Sequence, residues 1–183
     1  IVIEGFNIRG PWYQTGVPDW VNGEQDVNIW NTQYAENIGI DIRGRWYQRE
    51  KLGYTLAQMQ ALTDVSENIT IRNCQIEGFG QSGIFADNVT NLLIELNEIR
   101  KCGRDGIRMY GVVDSKCVDN KIKRLSPGFA GAKPNYNVYG ITVTRLHGSS
   151  NIPDPLLQIG RCSDNVAVVR NQIEEAATWK SLD

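Results

Sequence analysis

The fold is decided by ITIRNCQIEGFGQSGIF, from Ile69 to Phe85, because the same pattern returns as LLIELNEIRKCGRDGIR, from Leu92 to Arg108. The two copies match at an offset of 23 residues, which places Ile71, Ile76, Gly83 and Ile84 on Ile94, Ile99, Gly106 and Ile107. Within each copy, apolar and polar residues alternate over short runs that end at Asn, Gly or Cys. A period of two is typical of strands, so each copy predicts two or three short strands joined by tight turns.

The repeat continues in both directions once insertions are allowed, and the whole chain predicts about five turns of one coil. A unit this short cannot bury its own apolar face, so successive coils must stack with their equivalent strands paired in parallel. The predicted inward columns are Ile3, Ile71, Ile94, Cys117 and Val168; Ile8, Ile76, Ile99, Ile122 and Ile173; and Ile40, Ile84, Ile107 and Ile141. The sequence therefore predicts an all-β, single-stranded parallel β-helix with these columns as its core.

A column of asparagines lies between the first two apolar columns. Asn97, Asn120 and Asn171 align there with Cys74 and Phe6, at a sharp turn between two strands. Stacked Asn side chains bond to one another and to the backbone, and Asn tolerates the left-handed conformation that such a turn needs. We therefore predict a structural role for this column. The other cysteines at repeat positions, Cys102 and Cys117, are predicted to be small buried apolar side chains.

Composition sets wide limits on function. The 183 residues suffice for one domain, 1–183, and 41 % hydrophobic with 22 % charged residues is typical of a globular chain. A net charge of −2 and the lack of a basic tail argue against a nucleic-acid partner, and the lack of a long apolar run argues against a membrane span. The chain begins inside a predicted strand without a cap, so we expect it to be a piece of a longer protein.

Four long insertions interrupt the repeat, and all of them flank the same strand of the coil. They cover residues 11–37, 44–66, 126–137 and 146–163. The first and third enter just before a Gly-Ile pair, at Gly39 and Gly140, and the other two leave just after the same strand. The second insertion also contains Trp46 and a predicted short helix over residues 55–62. Loops that wall a rigid strand on both sides predict a groove over its outward face.

The floor of that groove can be predicted from the alternation of side chains along a strand. With the isoleucines inward, the outward residues are Asp41, Phe85, Arg108 and Thr142, followed two positions later by Arg43, Asp87, Tyr110 and Thr144. Just before the strand lie Asn37, Gln81, Arg104 and Val138, and after them Ile38, Ser82, Asp105 and Tyr139. Aromatic rings bind the apolar faces of sugars, arginines bind uronate or sulfate groups, and carboxylates bind hydroxyls or a cation. We therefore predict substrate binding by Arg43, Phe85, Tyr110, Asp105, Trp46 and Tyr139.

The coil length, the inward isoleucines, the Asn column and the Gly-Ile strand resemble the right-handed parallel β-helix of the pectate-lyase-like superfamily, over nearly all of the chain outside the insertions. The superfamily includes polysaccharide lyases, glycoside hydrolases, uronan epimerases and phage tailspikes, so the resemblance does not select one chemistry. In its lyases and hydrolases the cleft lies over the strand equivalent to the Gly-Ile strand.

The resemblance implies a polysaccharide partner and a lyase that acts by β-elimination on a uronate-containing glycan. By analogy with pectate lyases, Arg108 or Arg104 is the candidate base, and Asp41, Asp87 and Asp105 are candidate ligands of calcium. It also implies an extracellular, periplasmic or virion-surface location.

Two alternatives stay open. An inverting glycoside hydrolase needs two carboxylates about 6.5–9.5 Å apart, and strand geometry puts Asp41 and Asp87 at roughly 8 Å. A glycan-binding or structural segment of a tailspike or adhesin would cleave nothing, and a tailspike would be a homotrimer. The N-T-D, D-D, G-H-G and R-I-K motifs of polygalacturonases and the D-P-H-D motif of alginate epimerases are missing from the sequence. A structural alternative for the charged residues of the floor is that Arg43, Asp87 and Arg108 form ion pairs across coils and bind no substrate.

Overall fold

The computed structural model describes residues 1–10, 38–44, 65–125, 139–144 and 163–176. These residues form strands and turns and contain no helix. Apart from the end residues Gly44, Val65, Ser66 and Ser163, the four predicted insertions lie outside the described residues, as do Trp46 and the predicted helix over residues 55–62, and they stay predictions. The strands are β1 (Val2–Glu4), β2 (Asn7–Arg9), β3 (Ile40–Arg43), β4 (Ser66–Arg72), β5 (Gln75–Phe79), β6 (Ser82–Asp87), β7 (Val89–Glu95), β8 (Glu98–Cys102), β9 (Asp105–Tyr110), β10 (Val113–Val118), β11 (Lys121–Leu125), β12 (Tyr139–Thr144), β13 (Asp164–Val169) and β14 (Gln172–Ala176).

The strands form three parallel sheets, and each of the first four repeats gives one strand to each sheet, while the described part of the fifth gives strands to sheets A and B. Sheet A has the order β1-β4-β7-β10-β13, sheet B the order β14-β11-β8-β5-β2, and sheet C the order β12-β9-β6-β3. Every pair within these sheets is parallel. The chain therefore runs through the three sheets in turn and starts again one layer further along, as the repeat predicts.

The register of the sheets confirms all three predicted columns. In sheet A, Ile71 pairs with Ile94, and the neighbouring pairs extend the column from Ile3 to Val168. The columns of sheets B and C pair in the same way. The isoleucines of the central repeats are fully buried, whereas Val168 and Ile173 are about half exposed, at 45 % and 48 %. These two lie in β13 and β14, each with one neighbouring strand among the described residues.

The Gly-Ile pair exists because two sheets meet closely at its glycine. A Cβ atom added to Gly83 would lie 2.3 Å from the Cγ2 atom of Ile99, and one added to Gly106 would lie 2.5 Å from that of Ile122. Both isoleucines belong to the inward column of sheet B. The glycine therefore makes room for the sheet B isoleucine of the next repeat, and this packing fixes how sheet C follows sheet B.

The predicted asparagine column is a continuous hydrogen-bonded ladder. The Nδ2 atom of Asn97 donates to Oδ1 of Asn120 at 3.0 Å, and Nδ2 of Asn120 donates to Oδ1 of Asn171 at 2.9 Å. Each Oδ1 also accepts the backbone N–H of the residue one repeat earlier, including that of Cys74. Each Nδ2 reaches a backbone carbonyl of sheet A, such as Ile94 O for Asn120. The ladder thus satisfies backbone groups that the turn leaves unpaired.

One detail of the predicted turn is wrong. The left-handed conformation belongs to the residue before each ladder position. These residues have φ between 53° and 73°, and they are Gly5, Asn73, Leu96, Asp119 and Arg170. The ladder asparagines do not have a positive φ. The preceding residue makes the bend, which leaves the Asn side chain directed along the stack. Leu96 has φ 56°, an unfavourable conformation for leucine, so the turn is imposed by the stacked repeats.

The cysteines at repeat positions are buried free thiols, as predicted. Cys74, Cys102 and Cys117 have no disulfide among the described residues. Burial raises the pKa of the Cys102 thiol to about 12, and it raises the pKa of Cys117 to about 12 as well. Both thiols are therefore protonated, poor nucleophiles at neutral pH, and they act as core side chains.

Replacing the central ladder asparagine tests the ladder's contribution to stability. Asn120→Ala leaves the buried N–H of Asn97 and the carbonyl of Ile94 without their side-chain partner, and each such group costs about 1–3 kcal/mol. We expect the free energy of unfolding, measured by urea denaturation, to fall by about 2–4 kcal/mol. Asn91→Gly is the matched control, because it removes an exposed bond to Asn68 at a residue with φ 55°. A loss as small as that of the control would show that the ladder is not needed.

Candidate functional site

The register of sheet C aligns the predicted groove residues from different repeats. One row across the sheet contains Asp41, Phe85, Arg108 and Thr142, and the next contains Arg43, Asp87, Tyr110 and Thr144. Side chains in register on parallel strands lie on the same face. The sequence alignment of the outward floor is therefore confirmed, and the same register that stacks the isoleucines brings the polar residues together.

A chain of cation and aromatic contacts crosses three strands of this face. The guanidinium carbon Cζ of Arg43 lies 5.1 Å from the ring centroid of Phe85. The rings of Phe85 and Tyr110 meet edge to face, with centroids 5.5 Å apart and an angle of 77°. The Cζ atom of Arg108 lies 5.5 Å from the centroid of Tyr110. Each cation–aromatic contact is worth about 0.5–1 kcal/mol at an exposed site and more when desolvated.

Arg43 stands between two carboxylates. Its Nε atom donates to Oδ1 of Asp41 at 2.7 Å within β3, and its register partner on β6 is Asp87. The side chains of Arg43 and Asp41 are 26 % and 37 % exposed, whereas Asp87 is 1 % exposed. Arg43 is thus a partly exposed cation beside one exposed and one buried carboxylate.

A second polar cluster lies at the start of β9. Asp105 is fully buried and forms an ion pair with Arg108, which is 5 % exposed. The hydroxyl of Thr142, on β12, donates to Oδ1 of Asp105 at 3.2 Å. Burial raises the pKa of the Asp105 carboxyl, and the charges of Arg108 and Arg104 act against that rise. We name Asp105, Arg108 and Thr142 the buried polar cluster.

The scan against protein families matches residues 60–178 to a model described as the right-handed beta helix region. The chain belongs to the right-handed β-helix family. No curated protein and no solved structure matches the chain in the two other comparisons. In the part of the chain that the structure describes, no helix is long and apolar enough to cross a membrane.

The outward face of this right-handed β-helix is more enclosed than the sequence predicts. Phe85, Asp87 and Arg108 are 8 %, 1 % and 5 % exposed, although alternation directs them away from the core. Side chains from adjacent repeats cover one another here: Arg43 lies over the Phe85 ring, and Tyr110 packs against it. The most accessible parts of the predicted floor that the structure describes are therefore the Asp41–Arg43 pair at one side of the sheet and Tyr139, 47 % exposed, at the other, while Tyr110 and Thr142 are partly exposed.

The predicted calcium ligands do not come together as a set. Among the described residues, no three His, Cys, Asp or Glu side chains are grouped so that they would hold a metal ion. Asp41 already bonds to Arg43, and Asp105 already pairs with Arg108. Calcium stays an expectation from the resemblance. Arg104, the second predicted base, is partly buried, and Tyr139 is the register partner of Asp105.

The sequence places Ser82 just before the Gly-Ile strand but assigns it no role at the site. Ser82 is fully buried and is the register partner of Asp105 on β6. Its Oγ atom and the Nε atom of Arg108 are buried without a hydrogen-bond partner in the part of the chain described here. The signal for Ser82 is its position in the repeat, since it precedes a Gly-Ile pair by the same offset as Asp105.

The raised pKa of Asp105 predicts a pH-dependent contribution to stability. A carboxyl whose pKa is higher in the folded than in the unfolded state stabilises the fold fully below the unfolded pKa, about 3.9 for Asp, and less as the pH rises. Asp105→Asn removes this titration and keeps the size of the side chain. We expect the unfolding free energy of the wild type, relative to that of Asp105→Asn, to fall as the pH rises above about 4 in urea titrations. A difference that is constant or grows with pH would contradict the assignment.

Proposed function

We propose that this right-handed β-helix binds an acidic polysaccharide along the outward face of sheet C and cleaves a uronate-containing glycan there by β-elimination. The observation that carries the proposal is the chain of contacts that leads from Arg43 through the rings of Phe85 and Tyr110 to Arg108 and crosses three strands. Sugars present apolar faces to aromatic rings and, in uronates, carboxylates to arginines. Cations and aromatic rings that are spread over three strands suit a polymer rather than a single small molecule.

Binding in this proposal begins at the accessible side of the sheet. Arg43 is partly exposed, and its guanidinium holds five donors in a fixed fork, of which Nε bonds to Asp41. A planar fork of donors suits the carboxylate of a uronate. Tyr110, partly exposed, supplies the aromatic surface, and the nearly buried Phe85 packs against both Tyr110 and Arg43.

The chemical step of the proposal is the removal of the proton on the carbon next to the uronate carboxylate. A base takes that proton, a carbon–carbon double bond forms, and the bond from the adjacent carbon to the glycosidic oxygen breaks, after which that oxygen takes a proton from water. Arg108 and Arg104 are the candidate bases by resemblance. Arg108 is 5 % exposed and pairs with Asp105, whereas Arg104 is partly exposed. The proposed step includes no metal.

Specific contacts favour two other functions as second candidates. Asp41 lies on the same strand as Arg43 and bonds to it, and Asp87 is the register partner of Arg43 on the next strand. Two carboxylates on adjacent strands suit an inverting hydrolase. The burial and ion pairing of Arg108 and Asp105 instead favour a glycan-binding module without catalysis. In a tailspike of this kind, the partner would be a second and a third copy of the chain.

A two-readout assay separates these functions. Pectate, alginate, hyaluronan and chondroitin are incubated with the protein, with calcium and with a chelator, and both ultraviolet absorbance of an unsaturated uronate and new reducing ends are measured. Elimination predicts that both readouts rise. New reducing ends without the absorbance rise would show hydrolysis, with Asp41→Asn and Asp87→Asn as the variants to follow. Binding of a polymer without either signal would show a binding module, and no binding or cleavage of any polymer would contradict the proposal.

Arg108→Lys tests whether Arg108 is the base, in a variant that keeps the buried ion pair and therefore the fold. Lysine keeps a positive charge beside the buried Asp105 carboxylate, so the ion pair is retained, whereas the geometry of the donors changes. We expect kcat/KM for elimination to fall by about 10²-fold or more, as is typical when an acid–base group is displaced. Lys116→Gln, on the exposed face of sheet A, is the control and leaves the rate unchanged.

A further inference from the structure

The guanidinium of Arg43 is held by two neighbours on the outward face of sheet C. Asp41 and Arg43 lie two residues apart on β3, so both side chains leave the strand on the same face. The Nε–H of Arg43 donates to Oδ1 of Asp41 at 2.7 Å. The Cζ atom of the same guanidinium lies 5.1 Å from the centroid of the Phe85 ring, on β6. Arg43 is therefore bonded along its own strand and packed across to the next one.

The two contacts constrain the guanidinium in different ways. An aromatic ring attracts a cation above its face but does not fix how the cation is rotated there. A hydrogen bond is directional, and it weakens steeply when the angle at the hydrogen falls below about 120°. The ring of Phe85 therefore sets where the Arg43 guanidinium lies, and the Asp41 carboxylate sets the direction of its plane.

This orientation matters because the Arg43 side chain is long and 26 % exposed. An exposed arginine side chain samples many rotamers, and it must give up that freedom when it binds a ligand. A guanidinium that is already held in its binding orientation loses less conformational entropy on binding. Asp41 thus lowers the cost of forming any bond between Arg43 and a sugar.

From these contacts we infer that Asp41 is a positioning residue, which holds Arg43 over the Phe85 ring in the orientation that binds the carboxylate of a uronate. The inference rests on the proposed function, in which Arg43 binds that carboxylate. In this role Asp41 contacts Arg43 and not the reacting atoms of the sugar. The role therefore differs from that of a calcium ligand and from that of the acid or base of a hydrolase.

The positioning role requires the acceptor oxygen of Asp41 and not its charge. The side chain of Asp41 is 37 % exposed, and its negative charge beside Arg43 repels an approaching uronate. The amide oxygen of an asparagine at this position accepts the same bond from the Nε–H of Arg43. Asp41→Asn therefore keeps the orientation and removes the repulsion, whereas Asp41→Ala removes both.

A comparison of Asp41→Asn with Asp41→Ala isolates the acceptor, because the two variants carry the same charge and both retain Asp87, the register partner of Arg43. The substrates are pectate, alginate, hyaluronan and chondroitin, with Kd in place of KM for a polymer that is bound and not cleaved. We expect KM of Asp41→Asn to equal or fall below that of the wild type, KM of Asp41→Ala to be about 10-fold higher than that of Asp41→Asn, and kcat to stay the same.

Two results of this comparison would overturn the positioning role. Equal KM values for Asp41→Asn and Asp41→Ala would show that the acceptor oxygen is not used. A fall of kcat in both variants would show that Asp41 takes part in the reaction itself, as the acid or base of a hydrolase does.

Glu4→Ala is the matched control. Glu4 is also an exposed carboxylate bonded to an arginine, with 2.8 Å between its Oε2 atom and Nη2 of Arg72, but this pair lies on sheet A. The variant keeps the KM of the wild type. A rise of KM equal to that of Asp41→Ala would overturn the inference, since loss of any exposed ion pair would then have the same effect.

The exchange of the Arg43 Nε–H with water, measured by ¹⁵N NMR without any sugar, tests the orientation independently of the proposed function. A proton bonded to Asp41 exchanges slowly in the wild type and in Asp41→Asn, and faster in Asp41→Ala. Equal exchange rates in all three, with cleavage of a polymer retained, would overturn the inference and leave the proposed function standing. Faster exchange in Asp41→Ala alone, without binding of any polymer by the wild type, would overturn the proposed function and leave Arg43 oriented by Asp41.

Discussion

The structure depends on one constraint, the register in which each repeat stacks on the one before it. The Asn97–Asn120–Asn171 ladder holds that register from the second repeat to the fifth through side-chain and backbone bonds. The glycine before each sheet C isoleucine holds it a second time, because only a residue without Cβ lets the sheet B isoleucine pack there. A slip by one residue would break the ladder and turn the inward columns outward. Core, turns and sheets are therefore consequences of the same spacing.

The candidate site is a consequence of the same register. No single repeat contains it: Arg43, Phe85 and Tyr110 come from three successive strands and contact one another because their backbones are paired. The inward neighbours of these residues are core side chains such as Ala86 and Met109, so the backbone beneath the site is rigidly packed. A packed scaffold fixes the spacing of the outward groups, which is what recognition of a repeating polymer requires. The right-handed β-helix can thus vary its outward residues without altering its core.

Much of this architecture can be predicted from the sequence, because the inward columns repeat nearly identical residues. The outward rows follow from the same offset. The position of the left-handed residue cannot be predicted from this offset, because Asn or Asp occurs both at the ladder and just before it, as at Asp119 and Asn120. The Asp105–Arg108 pair also escapes prediction: alternation puts residues three apart on opposite faces, yet Asp105 begins its strand directly after a turn and contacts Arg108. The enclosure of Phe85 depends on the conformation of Arg43, which no sequence pattern specifies.

The most direct test of the account is a map of backbone amide chemical shifts as the tightest-binding polymer of the uronate panel is added as a short oligosaccharide. The account predicts that the perturbed amides cluster in β3, β6, β9 and β12, at the rows containing Arg43, Phe85 and Arg108. Amides at the equivalent outward positions of sheets A and B stay unchanged. Perturbations centred on sheet A or sheet B, or none in sheet C, would contradict the claim that the register of the repeats builds the binding site.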